Sequence, residues 1–193
     1  VLNQLYRHTQ VQTSFSINLL ALNHGRPECM SLKQMLEAFL QFREEVLIRR
    51  LRYELQQARA KAHVSMGLAV AINNIDQVLT MVRQGQDRNV VRQQIQETKW
   101  PLNDLQETQQ IIEEKILSIY TMSEIQAQAI LDMRLHRLTS LERDKIKEEL
   151  YELKDKIQTL LRILDDRNEI LKIMRDEFLM LRENFAHPRR TEI

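Results

Sequence analysis

Residues 146–181 read IKEELYELKDKIQTLLRILDDRNEILKIMRDEFLML, and this stretch decides the fold of the chain. In alternating steps of four and three residues, every position of one stripe is apolar except Arg167. A mean spacing of 3.5 residues keeps such a stripe against a partner helix in a left-handed coiled coil. At about 1.5 Å per residue, the stretch predicts a helix of roughly 54 Å that needs a second helix beside it. A buried helix in an ordinary bundle is the alternative.

An earlier segment carries the matching stripe. Ser31 with Gln34 three residues later predicts a helix start, because each side chain can satisfy a free N–H group of the first turn. Leucines then recur at helical spacing, and the chain between the two stripes must fold back, so the two helices are predicted to run antiparallel. The predicted ladder residues are Leu40, Leu47, Leu51, Leu55, Ile146, Leu150, Leu153, Ile157, Leu160 and Leu164.

Between the ladders, the apolar pattern widens to more than one helical face. Such helices are buried on several sides, and here their apolar surface exceeds what the segment covers by itself. An exposed apolar face marks an association surface, and a twofold dimer is the commonest arrangement. The residues predicted at this contact are Met66, Val70, Ile125, Ala129 and Met133. The alternative is that these side chains only fill the core of the segment.

The complete predicted fold is mainly α, with a long antiparallel coiled-coil arm, a small helical globular dimerisation knob and a short β-hairpin near the N-terminus. The hairpin pairs residues 15–22 with 27–31, because Asn23–Arg26 is a turn signal. Gly85 is predicted to end a helix, and Trp100-Pro101 to be extended. The predicted segments are 1–30 with the hairpin, 31–63 as the outgoing helix, 64–138 as the knob, 139–185 as the returning helix and 186–193 as a polar tail.

The sequence predicts no catalytic residue, no metal site and no cofactor in this chain. Its five histidines lack metal-binding spacing, and no glycine-rich phosphate loop occurs among only three glycines. The single cysteine, Cys29, fits a reducing cytosol, and no apolar run approaches the roughly 20 residues of a membrane span. Because the chain begins at Val1 without a methionine, it is interpreted as a piece of a longer protein.

One cluster of basic residues has two interpretations. With a net charge of only +1, the chain as a whole is not polybasic. Helical spacing places Arg52 and Arg59 of this cluster on different faces from the leucine stripe. The basic side chains could contact phosphates independently of sequence, or they could form solvated ion pairs with neighbouring glutamates. The residues predicted as possible DNA contacts are Arg49, Arg50, Arg52 and Arg59.

Three literal motifs add a family resemblance. Residues 12–18, QTSFSIN, residues 126–135, QAQAILDMRL, and residues 189–193, RRTEI, resemble the A subunits of bacterial DNA gyrase. The resemblance covers nearly the whole chain, although Ser16 stands where the family often has glycine and residues 84–120 match poorly. Topoisomerase IV A subunits share the architecture, but the first and third motifs look more like gyrase.

The resemblance implies a role in a type IIA topoisomerase, with residues 1–30 as the end of the tower region. Two knobs would meet as a homodimer and form the exit gate for the transported double-stranded DNA, with hinges near Thr139 and Ser140. The catalytic tyrosine of the family lies upstream, so this fragment is expected to be inactive. The parent complex, in the bacterial cytoplasm, would use ATP and magnesium through the gyrase B subunit. A non-enzymatic coiled-coil scaffold and an independent DNA-binding module are the alternatives.

Overall fold

The computed structural model describes residues 1–11, 16–85, 87–102, 105, 108, 119–133 and 140–188. The chain is mainly helical with a short hairpin near the N-terminus, which confirms the predicted fold class. The helices are α1 Leu2–His8, α2 Leu32–Asn73, α3 Ile75–Gln84, α4 Arg88–Glu97, α5 Glu124–Asp132, α6 Ser140–Asp165 and α7 Arg167–Phe185. The strands are β1 Leu20–Asn23, β2 Arg26–Cys29, β3 Trp100–Pro101 and β4 Ile119–Tyr120. The chain divides into two compact units, Val1–Val46 and Leu47–Ile193.

The first unit contains the predicted hairpin. Strands β1 and β2 pair antiparallel, with Leu20 opposite Cys29 and Asn23 opposite Arg26. The connecting residues His24 and Gly25 both have left-handed backbone angles, with φ of 47° and 80°. Two successive positive φ values give the turn whose twist matches that of the paired strands. The turn is therefore two residues long, shorter than predicted. The first strand is also shorter than predicted: residues 16–19 are not in it, and residue 15 lies outside the described residues.

Helix α2 starts as predicted and continues further than the predicted outgoing helix. The Ser31 N–H donates to Gln34 Oε1 at 2.8 Å, and the Gln34 N–H donates to Ser31 Oγ at 3.3 Å. The helix then passes residue 64 without interruption and ends at Asn73. Asn74 separates it from α3, and its side-chain amide donates to the Val70 carbonyl at 2.9 Å. Such local side-chain bonding competes with helix continuation.

Two hydrophobic clusters hold the second unit together. The first core cluster centres on the fully buried residues Met66, Val70, Ile95, Trp100 and Leu150. The second core cluster consists of Leu47, Leu51, Leu160, Ile170 and Met174, with Leu55 and Leu164 half-buried against it. The remaining ladder residues Ile146, Leu150, Leu153 and Ile157 pack in the first core cluster. Leu40 belongs to the first unit and is exposed.

The membership of these clusters shows that the two ladders run in opposite directions. The early α2 residue Leu47 shares a cluster with Met174 near the end of the chain, whereas the later residue Ala62 shares one with Leu150. An ion pair between Arg50 of α2 and Glu177 of α7 agrees with this order. The predicted antiparallel contact between the ladders is therefore present in the second unit.

The returning segment is two helices, whereas the sequence pattern predicted one. Asp166 interrupts it with φ of −109° and ψ of 109°, and its carboxylate accepts the Asn168 N–H at 2.8 Å. This bond caps the start of α7. The apolar stripe resumes beyond the interruption at Ile170 and Met174, so periodicity alone did not reveal it. The spacing of Asp166 and Glu169 is the start signal that was missed.

Gly85 lies where α3 ends and α4 packs closely against the chain. Gly85 ends α3 as predicted, in an extended conformation. A β-carbon at this position would lie 2.0 Å from Val91 Cγ2, so α4 approaches too closely for a side chain.

Trp100 is extended as predicted, pairs with Tyr120, and donates its indole N–H to the Ile95 carbonyl at 2.9 Å.

Truncation of the leucine ladder tests the second core cluster. Leu51→Ala and Leu160→Ala should each lower the free energy of unfolding by about 2–5 kcal/mol, because each leaves a buried cavity. Since both side chains belong to one cluster, the double variant should depart from additivity by about 0.5–3 kcal/mol. Urea unfolding followed by circular dichroism measures these values. Tyr53→Ala, on the exposed side of α2, is the control, and strict additivity would contradict the shared cluster.

Candidate association surface

Helices α4 and α5 pack side by side in opposite directions. Val91 and Ile95 of α4 are buried, as are Ala127 and Ile130 of α5. Two ion pairs connect the helices at their exposed margins. They join Arg88 to Asp132, and Arg92 to Glu124 at 3.2 Å. The apolar contact joins α5 to α4 within the second unit, and the ion pairs lie at its margins.

The outer face of α5 carries an apolar centre between polar side chains. Ile125 is 66% exposed. Gln128, Ala129 and Asp132 follow it at spacings of three, four and seven residues, which places them on the same face of the helix. A polar rim around an apolar centre is typical of protein–protein interfaces.

The five residues that were predicted to form the dimer contact differ in their exposure. Met66 and Val70 are fully buried in the first core cluster. Ala129 and Met133 are half-buried, and Ile125 is the exposed member of the set. Met66 and Val70 therefore have no surface to offer a second chain, and they fill the core as the alternative interpretation held. The prediction of a contact now depends on the outer face of α5.

A buried polar cluster stands directly behind this face. Gln126, the neighbour of Ile125, is fully buried. Its amide nitrogen donates to the His63 carbonyl of α2 at 2.6 Å and to the Tyr120 hydroxyl, and it lies 3.4 Å from His63 Nδ1. Its amide oxygen accepts the Ser123 N–H at 2.9 Å. This arrangement fixes the orientation of the amide, because a flipped group would place like atoms against each other.

Ser123 completes the polar cluster and starts α5. Its hydroxyl accepts the Gln126 N–H at 3.3 Å and lies 2.8 Å from His63 Nε2. Ser123 and Gln126 thus form a capping box at the start of α5. The unusual feature is that the same glutamine also binds α2.

Gly67 permits the close approach of α5 to α2. A β-carbon at this position would lie 2.7 Å from Gln126 Cγ, which is shorter than any ordinary contact. Gln126 and the polar cluster were not recognised from the sequence, because a glutamine between Ile125 and Ala127 has the pattern of a surface residue. The Ser123–Gln126 spacing together with Gly67 is the signal that could have identified them.

Hydrogen bonds and charges shift two pKa values at the surface of the second unit. The Gln128 amide and then the Arg88 guanidinium hold the pKa of Asp132 below its ordinary value. The Glu169 carboxylate raises the pKa of Lys172.

Among the arginines predicted as possible DNA contacts, Arg49 and Arg52 are exposed, Arg50 pairs with Glu177, and Arg59 is half-buried.

The described part of the chain contains neither a candidate metal-ion site nor a helix that could span a membrane. Within it, no three histidine, cysteine, aspartate or glutamate side chains meet in a way that could hold a metal ion. Across the same ranges, no helix combines the length and the apolar character that crossing a bilayer requires.

The structure is that of a mainly helical protein in which α2 packs against α6 and α7. A family model that describes the A subunit of DNA gyrase and topoisomerase IV matches residues 1–179. The chain belongs to this family.

Individual relatives agree along the full length of the chain. It is 41% identical over 198 residues to the DNA gyrase A subunit of Granulibacter bethesdensis, and 41% identical over 193 residues to that of Clostridium acetobutylicum. It is 39% identical over 197 residues to the DNA gyrase A subunit of Rickettsia typhi. Each alignment covers 100% of this chain and 21%, 21% and 22% of the respective relative. The chain therefore spans about a fifth of the length of these curated relatives.

The charged margin of α5 can be tested by titration. Because the folded pKa of Asp132 is lowered, this carboxylate stabilises the fold above its unfolded pKa, and the contribution is lost as the pH falls through the folded pKa. Gln128→Ala removes the hydrogen bond that contributes most to lowering the Asp132 pKa. The variant should therefore raise this pKa, as measured by carboxyl-carbon NMR. Gln93→Ala on α4 is the control and should leave it in place. An unchanged Asp132 pKa in Gln128→Ala would contradict this assignment.

Proposed function

We propose that this chain forms the exit gate and the coiled-coil arm of a DNA gyrase A subunit. The ladders would act as a lever, and the knob would join two subunits and release the transported DNA duplex. The observation that carries the proposal is Ile125, an apolar side chain exposed on a helix whose other side packs in the first core cluster. The family membership and the names of the relatives support the assignment to a DNA gyrase A subunit.

The outer face of α5 has the properties that a gate requires. An apolar centre bordered by Glu124, Gln128 and Asp132 gives a moderate interface, which can hold two chains together and still open during a working cycle. A twofold axis beside Ile125 would bring the same face of each chain together. Ala129 and Met133 would lie at the margin of this contact.

The predicted segments become parts of the gate in this proposal. Residues 1–30 would be the end of the tower, 31–63 and 139–185 the arm, 64–138 the knob, and 186–193 the exit from the arm. Hinges near residues 139–140 would let the arms separate. As α2 is continuous through residue 64, the outgoing arm and the knob would share one helix.

The activity of the whole protein is part of the proposal, since the chain spans only about a fifth of its relatives. The parent would be an ATP-dependent type II DNA topoisomerase of the bacterial cytoplasm that uses ATP and magnesium through the gyrase B subunit. This chain would contribute no catalytic residue and would be inactive alone. Exposed Arg49 and Arg52 would meet phosphates of the passing duplex.

A charge at the centre of the proposed contact should separate the two chains. Ile125→Asp should weaken dimerisation by about tenfold or more, because the contact would bury an unpaired carboxylate. Sedimentation equilibrium of the 193-residue chain from low to high micromolar concentration measures this. Tyr53→Asp is the matched control, since it introduces the same charge at a residue that is 61% exposed on α2. Equal association of both variants, or a monomeric parent chain, would contradict the contact.

A covalent link across the gate should stop DNA passage. Ile125→Cys should form a disulfide-linked dimer on oxidation in a full-length gyrase A chain combined with its B chain. In that chain Cys29 and any other cysteine are first replaced by serine. Supercoiling of plasmid DNA should then cease and return after reduction, because the gate could no longer open. Tyr53→Cys treated in the same way should remain active. Normal supercoiling by the linked dimer, or failure of the link to form, would refute the gate.

A further inference from the structure

The side-chain amide of Gln126 connects three parts of the second unit. Through its oxygen and the Ser123 N–H, it caps α5. Through its nitrogen, it binds the His63 carbonyl of α2 and the hydroxyl of Tyr120. A capping-box residue usually faces solvent, but Gln126 is fully buried and lies against Gly67. The same group therefore caps the start of α5 and binds it to α2 and Tyr120.

We propose that Gln126 is the positioning residue of the association surface, and that its hydrogen bonds hold Ile125 in the outward orientation. This inference rests on the proposed function, because it concerns the same face of α5. Gln126 would not touch the partner chain. It would act through the rotation of the helix that carries Ile125.

Helix geometry explains why an inward Gln126 keeps Ile125 outward. Consecutive residues point about 100° apart around a helix axis, and Gln126, Ala127 and Ile130 together mark the buried side of α5, so Ile125 lies on the opposite side. Any rotation that buried Ile125 would move Gln126 away from His63 and Tyr120. The bonds from the amide to the His63 carbonyl and the Tyr120 hydroxyl would then break, which opposes the rotation. An apolar residue at position 126 would impose a much weaker directional constraint, because hydrophobic burial is not directional.

The constraint matters most when the two chains are apart. Ile125 is then in water, and burial of its side chain would be favourable. The polar cluster opposes this inward rotation, so the separated surface keeps the shape that it needs for association. Preorganisation of this kind strengthens binding, because little ordering remains to be done when the chains meet.

The decisive variant is Gln126→Met, which keeps a similar length and loses every hydrogen bond of the amide. Val78→Ala is the matched control, because Val78 is a buried residue of the first core cluster that lies on α3. Urea unfolding first establishes the stability loss of each variant. Tyr120→Phe is a milder variant that removes only the hydroxyl and should fold even if Gln126→Met does not.

Two measurements test the proposal. In sedimentation equilibrium of the 193-residue chain, Gln126→Met should weaken dimerisation by about tenfold beyond any effect of Val78→Ala. In a monomeric Ile125→Asp background, Gln126→Met should accelerate hydrogen exchange of the α5 amides more than that of the α6 amides. Tyr120→Phe should change both quantities in the same direction by a smaller amount.

The results distinguish this inference from the proposed function. If Ile125→Asp weakens dimerisation but Gln126→Met behaves like Val78→Ala in both measurements, the positioning role is wrong and the association surface stands. If the parent chain does not dimerise, the proposed surface fails. The exchange experiment then still decides whether Gln126 holds α5, and uniform exchange across α5 and α6 would overturn that.

Discussion

Burial of the α2 leucines against α6 and α7 is the contact on which the second unit depends. Leu47 and Leu51 meet Leu160, Ile170 and Met174, and full burial of one such side chain contributes about 1.5–3 kcal/mol. The ion pair between Arg50 and Glu177 borders the same contact, but exposed ion pairs contribute only about 0–1 kcal/mol. Apolar packing therefore holds the helices together, and the charge helps to select their direction.

Sequence patterns with a fixed spacing predicted much of this architecture. The 3.5-residue stripe identified both ladders, because an apolar stripe of that period requires a partner. The Ser31–Gln34 spacing marked the start of α2, because the chemistry of a capping box is local. The hairpin followed from its turn residues. Each of these features is determined by residues close together in the sequence.

Features that depend on distant residues were not predictable in this way. The several apolar faces within residues 64–138 indicated burial, but not which face the chain itself covers. Met66 and Val70 proved to be core residues, whereas Ile125 is exposed. The interruption at Asp166 was hidden because the apolar stripe resumes beyond it. Gln126 resembled a surface residue because its partners His63 and Tyr120 come from other parts of the chain.

The location of Trp100 gives the protein a built-in optical probe. It is the single tryptophan of the chain, is fully buried in the first core cluster, and is hydrogen-bonded to Ile95. The second core cluster contains no tryptophan. Intrinsic fluorescence therefore reports on one core, while circular dichroism reports on the helices of both. Coincident melting curves would show that the two cores unfold as a single cooperative body, and displaced curves would show that they unfold in sequence.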